Sequence, residues 1–330
     1  MNVAAVGTPK RAIVLVNWNG WRDTVACLTS LLPTLPPQSK VLVCDNASSD
    51  GSLSHLAVWA EAHRGSAGWA SYTRADAEQG GRRDDPSLIL IDTQGNLGFA
   101  GGNNVGIRYA LAQGYDYIWL LNNDTVVDTH TASELLRRML ADKSIGMCGS
   151  TIFYHDRPDT VQCFGGAEFD FQYAVGVPIG FGPKPDTLPP IPEVERRLAH
   201  ISGASLMVSR TFLDEVGLME ESYFLYFEEI DWAIRAQGRF ILGWAPLSYV
   251  WHKEGGSIGS SHRTRPSDTS LSYICRNRLK FTRERMPQYY RSVRCRMWRD
   301  TLVYAKRRDW RAVQIHLRAL MGRIPPHTSA

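Results

Sequence analysis

The residues able to do chemistry gather where apolar runs end. Tyr117-Ile-Trp-Leu-Leu121 leads straight into Asn122-Asn-Asp-Thr125. Ligands of open parallel sheets bind beyond the carboxyl ends of the strands, so a carboxylate at that edge can reach one. Asp124 is therefore a metal-ligand candidate. Mg²⁺ and Mn²⁺ favour a few carboxylates plus phosphate oxygens, and an ion bridging a nucleotide diphosphate would offset the charge of that leaving group. The plain alternative is an ordinary turn, with Asp128 or Thr129 capping the next helix. In Cys44-Asp-Asn-Ala-Ser-Ser-Asp-Gly51, Asp45 can accept a hydrogen bond from a nucleobase imide, while Asp50 or Ser49 can cap a helix. Gly95-Asn-Leu-Gly-Phe-Ala-Gly-Gly-Asn-Asn104 carries glycines that would let backbone N–H groups approach a pyrophosphate or base. Its spacing is not G-x-G-x-x-G, so no dinucleotide fingerprint follows.

Glu228-Glu-Ile-Asp231 gathers acids at the start of a helical stretch. Asp231 and Arg235 stand at i, i+4, which reads as an ion pair. Glu228 and Glu229 suit a first helical turn, where the dipole favours negative charge, but an acceptor hydroxyl also needs a carboxylate to take its proton. His252 and Lys253 follow a strand-like run, with Gly-Gly-Ser to Ser257 as a candidate flap over a pyrophosphate.

The elements that must position these groups are legible from periodicity. Strands are expected at 12–16, 41–44, 88–91 and 117–121, with helices at 21–32, about 50–63, 103–113 and 131–140, the alternation of a parallel sheet with crossover helices. Residues 64–87 lack clear periodicity and read as a long loop. Beyond 140, shorter strands, turns and a Pro-rich stretch at 177–192 suggest a sheet extension on an acceptor side. Strand-like runs at 201–208 and 240–251 flank a helix within 226–237, and from about 270 the chain reads as helices broken at Pro287.

At 330 residues, 44% hydrophobic and 21% charged, the chain is long enough for one large α/β domain with an appendage and is neither disordered nor a coiled coil. No run is apolar enough to span a bilayer, no secretory leader is recognised, and a cytoplasmic protein is expected. Six scattered cysteines without a C-x-x-C pair suggest buried or free thiols. Between Arg276 and Arg323, 15 Lys or Arg face three acids, a charge of +12 against −8 for the remainder. That asymmetry points to an anionic partner: a phospholipid surface, a phosphorylated substrate or nucleic acid. Phe281, Tyr289, Tyr290, Trp298, Tyr304 and Trp310 interleave the charge as a stacking surface would, but no nucleic-acid motif appears.

Together the segments Val14–Gly20, Val43–Gly51, Asn96–Asn104, Leu120–Thr125, Ser202-Gly-Ala, Tyr226–Trp232 and Trp251-His252 resemble the family 2 glycosyltransferases, in particular their rhamnosyltransferase-like branch. The resemblance covers about residues 11–285. It implies a GT-A fold, in the α/β class: a Rossmann-like nucleotide-binding half with a mixed central sheet, here followed by a C-terminal helical extension. On that reading, residues 1–265 form the catalytic domain (donor half about 11–130, acceptor half about 131–265) and 266–330 the basic helical region. The implied reaction is inverting transfer of a sugar by direct displacement, with rhamnose from dTDP-rhamnose favoured over a UDP-linked sugar. A nucleotidyltransferase is the weaker enzymatic alternative, since Asn17-Trp-Asn-Gly20 offers no Gly-rich loop with a basic residue.

Carried over residue by residue, the resemblance makes Asp45 the base-binding acid and Asn122-Asn-Asp124 the counterpart of the family's D-x-D motif, with Asp124 its single carboxylate. Asn17, Asn96, Gly98, Gly102, Asn103 and Asn123 are the further expected donor-nucleotide contacts. His252 completes the site of a divalent metal, Mg²⁺ or Mn²⁺. Glu229 is the expected catalytic base, with Glu228 and Trp251 on the acceptor side, and Lys253, Arg276 and Arg278 are candidate phosphate contacts. The expected partners are a nucleotide-sugar donor, a glycan or lipid-linked acceptor and an anionic membrane inner face. Nucleic acid is not expected, and an oligomer is left open.

Overall fold

A computed structural model describes residues 9–253 and 265–324. The first half runs β1 (Arg11–Asn17), α1 (Trp21–Leu31), β2 (Lys40–Asp45), α2 (Ser52–Arg64), β3 (Trp69–Thr73), α3 (Arg74–Glu78), β4 (Leu88–Asp92), α4 (Gly98–Ala112) and β5 (Tyr117–Leu121). These strands are all parallel, in the order β5-β1-β2-β4-β3. Because successive side chains of a strand point to opposite faces, one run feeds two cores. Val14, Leu42, Ile89 and Leu120 pack under α4. Ile13, Val43, Leu90 and Trp119 face α1 and α2.

The second half adds β6 (Thr125–Val127), α5 (Thr131–Ala141), β7 (Ile145–Tyr154), β8 (Arg157–Phe164), β9 (Gly166–Asp170), β10 (Val175–Pro178), β11 (Gly182–Pro183), α6 (Ile191–Arg197), β12 (His200–Ile201), β13 (Ser205–Ser209), α7 (Arg210–Val216), α8 (Glu228–Ala236) and β14 (Ile241–His252). β13 pairs antiparallel with both β5 and β7, so the sheet turns from parallel to mixed at β5. The end of β14 pairs with β6, setting His252 opposite Thr125. A small second sheet, β10-β9-β12, stands apart from the main one. Finally α9 (Asp268–Arg285), α10 (Tyr290–Lys306) and α11 (Trp310–Leu320) share a core of Leu271, Leu279, Val293, Met297 and Leu320.

Several expectations require correction. Residues 64–87 hold β3 and α3; β3 is an edge strand with alternately half-exposed residues, so its apolar signal is weak. The run 201–208 is two strands in different sheets, broken at Ser202-Gly-Ala204. α4 begins at Gly98, five residues before the expected start, so most of the glycine cluster is helical. Among the described residues the cysteines are free thiols, all buried except Cys295. No described helix is long and apolar enough to cross a membrane.

Candidate active site

Beyond the carboxyl ends of β1 and β5 a cavity of about 860 Å³ opens between the main sheet, the small sheet and α9. Its polar wall includes Asn96, Asn123, Asp124, Glu228, Glu229 and His252. Hydrogen bonding beneath this wall fixes the direction of the β5–β6 turn. Asn123 donates through Nδ2 to Thr24 Oγ1 (2.9 Å) and Asn17 Oδ1 (3.3 Å), and the Thr24 hydroxyl donates to Asn17 Oδ1 (2.8 Å). Asn17 in turn donates to Asp45 Oδ1 at 2.6 Å.

Asp124 Oδ1 lies 3.2 Å from His252 Nε2. The opposite ring nitrogen, Nδ1, is 3.0 Å from Gln162 Oε1. An amide oxygen only accepts, so Nδ1 carries a proton and Nε2 is the ring nitrogen that faces the carboxylate. An imidazole nitrogen and a carboxylate oxygen side by side are both donors to divalent cations. The donor set therefore suits a divalent ion, with Gln162 orienting the histidine as outer-shell partners of metal ligands do. Among the described residues no group of three or more His, Cys, Asp or Glu side chains could hold a metal, which leaves further coordination to ligand oxygens, as Mg²⁺-type sites allow.

The two glutamates have different surroundings. Glu228 is 1% exposed, and its Oε2 has no hydrogen-bond partner. Burial first, and then the neighbouring Glu229, push its carboxyl well above the ordinary range. Glu229 is only half-buried at the cavity wall, and burial also raises its pKa, opposed by its own backbone N–H and then by that of Gly203. A Cβ on Gly203 would stand 2.4 Å from Glu229 Oε1, so glycine is required for that approach. Asp231 is fully buried between Arg235 (2.9 Å) and Arg285 (2.7 Å), a structural ion cluster in which only the first partner was legible from helical spacing.

Other expected site residues lie elsewhere. Asp45 is not on the cavity wall: Asn17, the Ser48 N–H (3.0 Å) and the Ser48 hydroxyl (2.7 Å) occupy its carboxylate, and Asn46 lines the cavity instead. Asn17 likewise supports from below. Gly102 and Asn103 face inward; a Cβ on Gly102 would meet Val16 and Asn46 at 2.9 Å, and Asn103 donates to Phe99 O. Gly98 and Asn96 do line the cavity, with Asn96 Oδ1 accepting the Gly98 N–H at 3.1 Å. Trp251 points to the opposite face of β14 from His252 and stacks on Phe153. Lys253 pairs with Asp23. Arg276 is off the cavity wall, and Arg278, although on it, donates to Tyr173 O (2.6 and 2.9 Å) and Asp300 (3.3 Å). Of the candidate flap, the Gly-Gly-Ser stretch to Ser257 lies outside the described residues.

Gln162, Gly203, His200 and Asn277 were given no role by sequence reasoning. Gly203 sat within the matched Ser202-Gly-Ala segment, and Asn277 lies between the two arginines chosen as phosphate contacts. His200 gives no local signal: it lines the cavity, and burial lowers its pKa to about 4.

Residues 12–162 match the profile of glycosyl transferase family 2. The chain is 24% identical over 238 residues to the low-salt glycan biosynthesis hexosyltransferase Agl10 of Haloferax volcanii, covering 68% of this chain and 61% of that protein. It is 30% identical over 183 residues to an uncharacterised protein of Mycobacterium tuberculosis, covering 52% and 62% respectively. The chain thus spans about three fifths of these relatives. In structure it resembles GalNAc-T7 with UDP, GalNAc and Mn²⁺ (TM-score 0.57, 16% identity, 82% of this chain and 48% of that one). It also resembles the mannosyltransferase PcManGT of Pyrobaculum calidifontis with GDP-Man and Mn²⁺ (TM-score 0.52, 12% identity, 96% and 87%). The fold is GT-A, an α/β architecture with a helical C-terminal part.

Proposed function

We propose, from the family 2 glycosyl transferase match of residues 12–162, that this protein moves a sugar from a nucleoside-diphosphate donor to an acceptor hydroxyl by direct displacement with inversion. The observation that carries the reading is one cavity holding both the Asp124–His252 pair, 3.2 Å apart, and the Glu228–Glu229 pair. Asp124 and His252 would hold a divalent ion, Mg²⁺ or Mn²⁺. When bound, that ion supplies charge to stabilise the departing diphosphate. The Asn17–Thr24–Asn123 network keeps the turn carrying Asp124 in place. Glu229 takes the acceptor proton: it is the more exposed of the pair, and its raised pKa brings its basicity nearer to neutral.

The favoured donor is dTDP-rhamnose, with a UDP-linked sugar as the alternative, and the acceptor is a glycan or lipid-linked glycan. This preference rests on the resemblance of the motifs. We divide the chain into a catalytic unit, 1–265, and a basic helical region, 266–330. Trp298, Leu302 and Trp310 are exposed on that region, and Arg291, Arg299, Lys306 and Arg307 make no ion pair among the described residues. Aromatic rings beside free cations suit the interface of an anionic membrane, so we place the enzyme on the cytoplasmic face of one.

The test is release of nucleoside diphosphate from a panel of dTDP-rhamnose, UDP-glucose and GDP-mannose, with Mn²⁺ and with EDTA. Metal-dependent turnover of one donor is expected, dTDP-rhamnose first. Absence of turnover and of binding across the panel would remove the transferase reading; turnover of another donor would remove only the rhamnose assignment.

A further inference from the structure

The turn that delivers the glutamate pair is strained. Phe224, Tyr226 and Phe227 have φ of 65°, 67° and 78°, a region that L side chains avoid and that persists only where the surroundings over-determine it. Phe227 immediately precedes α8, so this backbone sets the direction in which Glu228 and Glu229 leave the first helical turn.

One side chain holds most of that turn. Asn277, fully buried on α9, sets Nδ2 within hydrogen-bonding distance of the carbonyls of Tyr223 (2.8 Å), Leu225 (2.7 Å) and Tyr226 (3.1 Å), so that its two N–H groups are shared among three acceptors. Its Oδ1 accepts from Arg276 Nη1 at 2.7 Å, which fixes the amide orientation, and the same nitrogen donates to Ser222 O at 3.1 Å. Around it, Tyr273 stacks on Phe224 with centroids 4.9 Å apart, and the Tyr226 hydroxyl lies 3.1 Å from Ser270 Oγ. From the opposite side the Phe99 N–H donates to Phe224 O at 2.7 Å. The Tyr226 N–H in turn reaches the Glu228 carboxylate.

We propose that Asn277 is a positioning residue for proton abstraction: it ties the strained Phe224–Phe227 turn to α9 and so aims Glu229 at the acceptor. This makes the first C-terminal helix part of the catalytic machinery. The inference rests on Glu229 as the base, and the experiment separates the two.

Turnover of the fastest-hydrolysed member of the dTDP-rhamnose, UDP-glucose and GDP-mannose panel is measured for Asn277→Ala, Glu229→Gln and the double variant, with the nucleotide-sugar Kd measured for each. Misplacing a reacting group by an ångström costs up to about 100-fold, so Asn277→Ala should lower kcat by about 10- to 100-fold with the donor Kd changed less than about twofold. Groups acting as a unit are non-additive, so in the Glu229→Gln background the same change should cost almost nothing more. Should Asn277→Ala not fold, Asn277→Ser, which keeps a hydroxyl donor, is read by the same criteria. A full multiplicative loss in the double variant, a parallel weakening of donor binding, or unchanged kcat would overturn the positioning role. Full turnover by Glu229→Gln would instead remove the base assignment, and the inference with it.

Discussion

Adjacent carboxylates on one cavity wall behave differently when one is fully buried and the other only half-buried. Glu229→Gln removes the proposed base and should cost about 10² to 10⁴ in turnover with donor affinity nearly unchanged, measured by steady-state kinetics beside nucleotide titration. Because burial raises the Glu229 pKa, the wild-type rate should fall on the acid side with a midpoint above the ordinary carboxyl value of 4.5. A midpoint at or below that value would contradict the assignment. Glu228 has a different signature. Its raised pKa means that the folded state binds a proton more tightly than the unfolded chain, so its contribution is fully present below 4.5 and is lost as pH rises through the folded value. Glu228→Gln, an isostere of the protonated acid, should therefore match wild type in melting temperature near pH 4 and exceed it near pH 8; a constant difference would argue against a buried neutral acid. At the Asp124–His252 pair, Asp124→Ala should weaken nucleoside-diphosphate binding much more with Mn²⁺ than in EDTA, and equal losses would show that Asp124 does not act through an ion.

At the scale of elements, the glycine cluster does other work than the one expected. Gly98, Gly102 and Gly106 recur at i, i+4, a stripe along one side of α4. A Cβ on Gly106 would stand 2.5 and 2.8 Å from the two methyls of Val14, so Gly106, with Gly102 against Val16, lets α4 lie directly on β1, while Gly98 makes room for Phe224. Gly106→Ala gains up to about 1 kcal/mol in helix propensity but forces a branched, buried valine to move, at about 1–3 kcal/mol. A net loss of stability is expected, read as a lower urea midpoint with unchanged m-value; a stabilised variant would show that the contact yields freely. The pairing of β14 with β6 is the other decisive element. A strand ending at residue 252 returns across the sheet to deliver His252 beside a turn ending at Asp124, and the Lys253 N–H seals it by donating to Asp124 O at 3.0 Å.

For the whole molecule, the basic C-terminal region divides its charges between two tasks. Arg278 pairs with Asp300 and Arg285 with Asp231, which ties α9 to α10 and to α8, while Arg296 pairs with Asp300 within α10. Arg291, Arg299, Lys306 and Arg307 are exposed on α10 and just beyond it. At about 1 kcal/mol for each cation near an anionic surface, these four would give salt-sensitive attachment. Co-sedimentation should occur with phosphatidylserine-containing vesicles, not with phosphatidylcholine alone, and should fall as salt rises. Reversing Arg291, Arg299, Lys306 and Arg307 to glutamate should abolish it while donor hydrolysis persists. No binding by active wild-type protein at low salt would sink the membrane placement alone.

The sequence by itself determined the elements whose physics is local. Strand Arg11–Asn17 and helices α1 and α2 follow from apolar periodicity and capping residues, and the Asp231–Arg235 pair follows from helical spacing. Acids and amides at strand ends were also legible, because an open parallel sheet exposes that edge whatever its details. Only the tertiary structure decided which of those polar groups face the cavity. Asp45 and Asp124 both follow apolar strands, yet Asn17 and Ser48 consume one carboxylate while His252 comes to stand beside the other. Sequence spacing carries no information about a partner 128 residues away. The same holds for Asn277: its flanking arginines attracted attention by charge, whereas its function lies in three carbonyls of a turn about 50 residues earlier. A strained backbone leaves no compositional mark when phenylalanine and tyrosine occupy it, so packing alone could reveal what holds the glutamates in place.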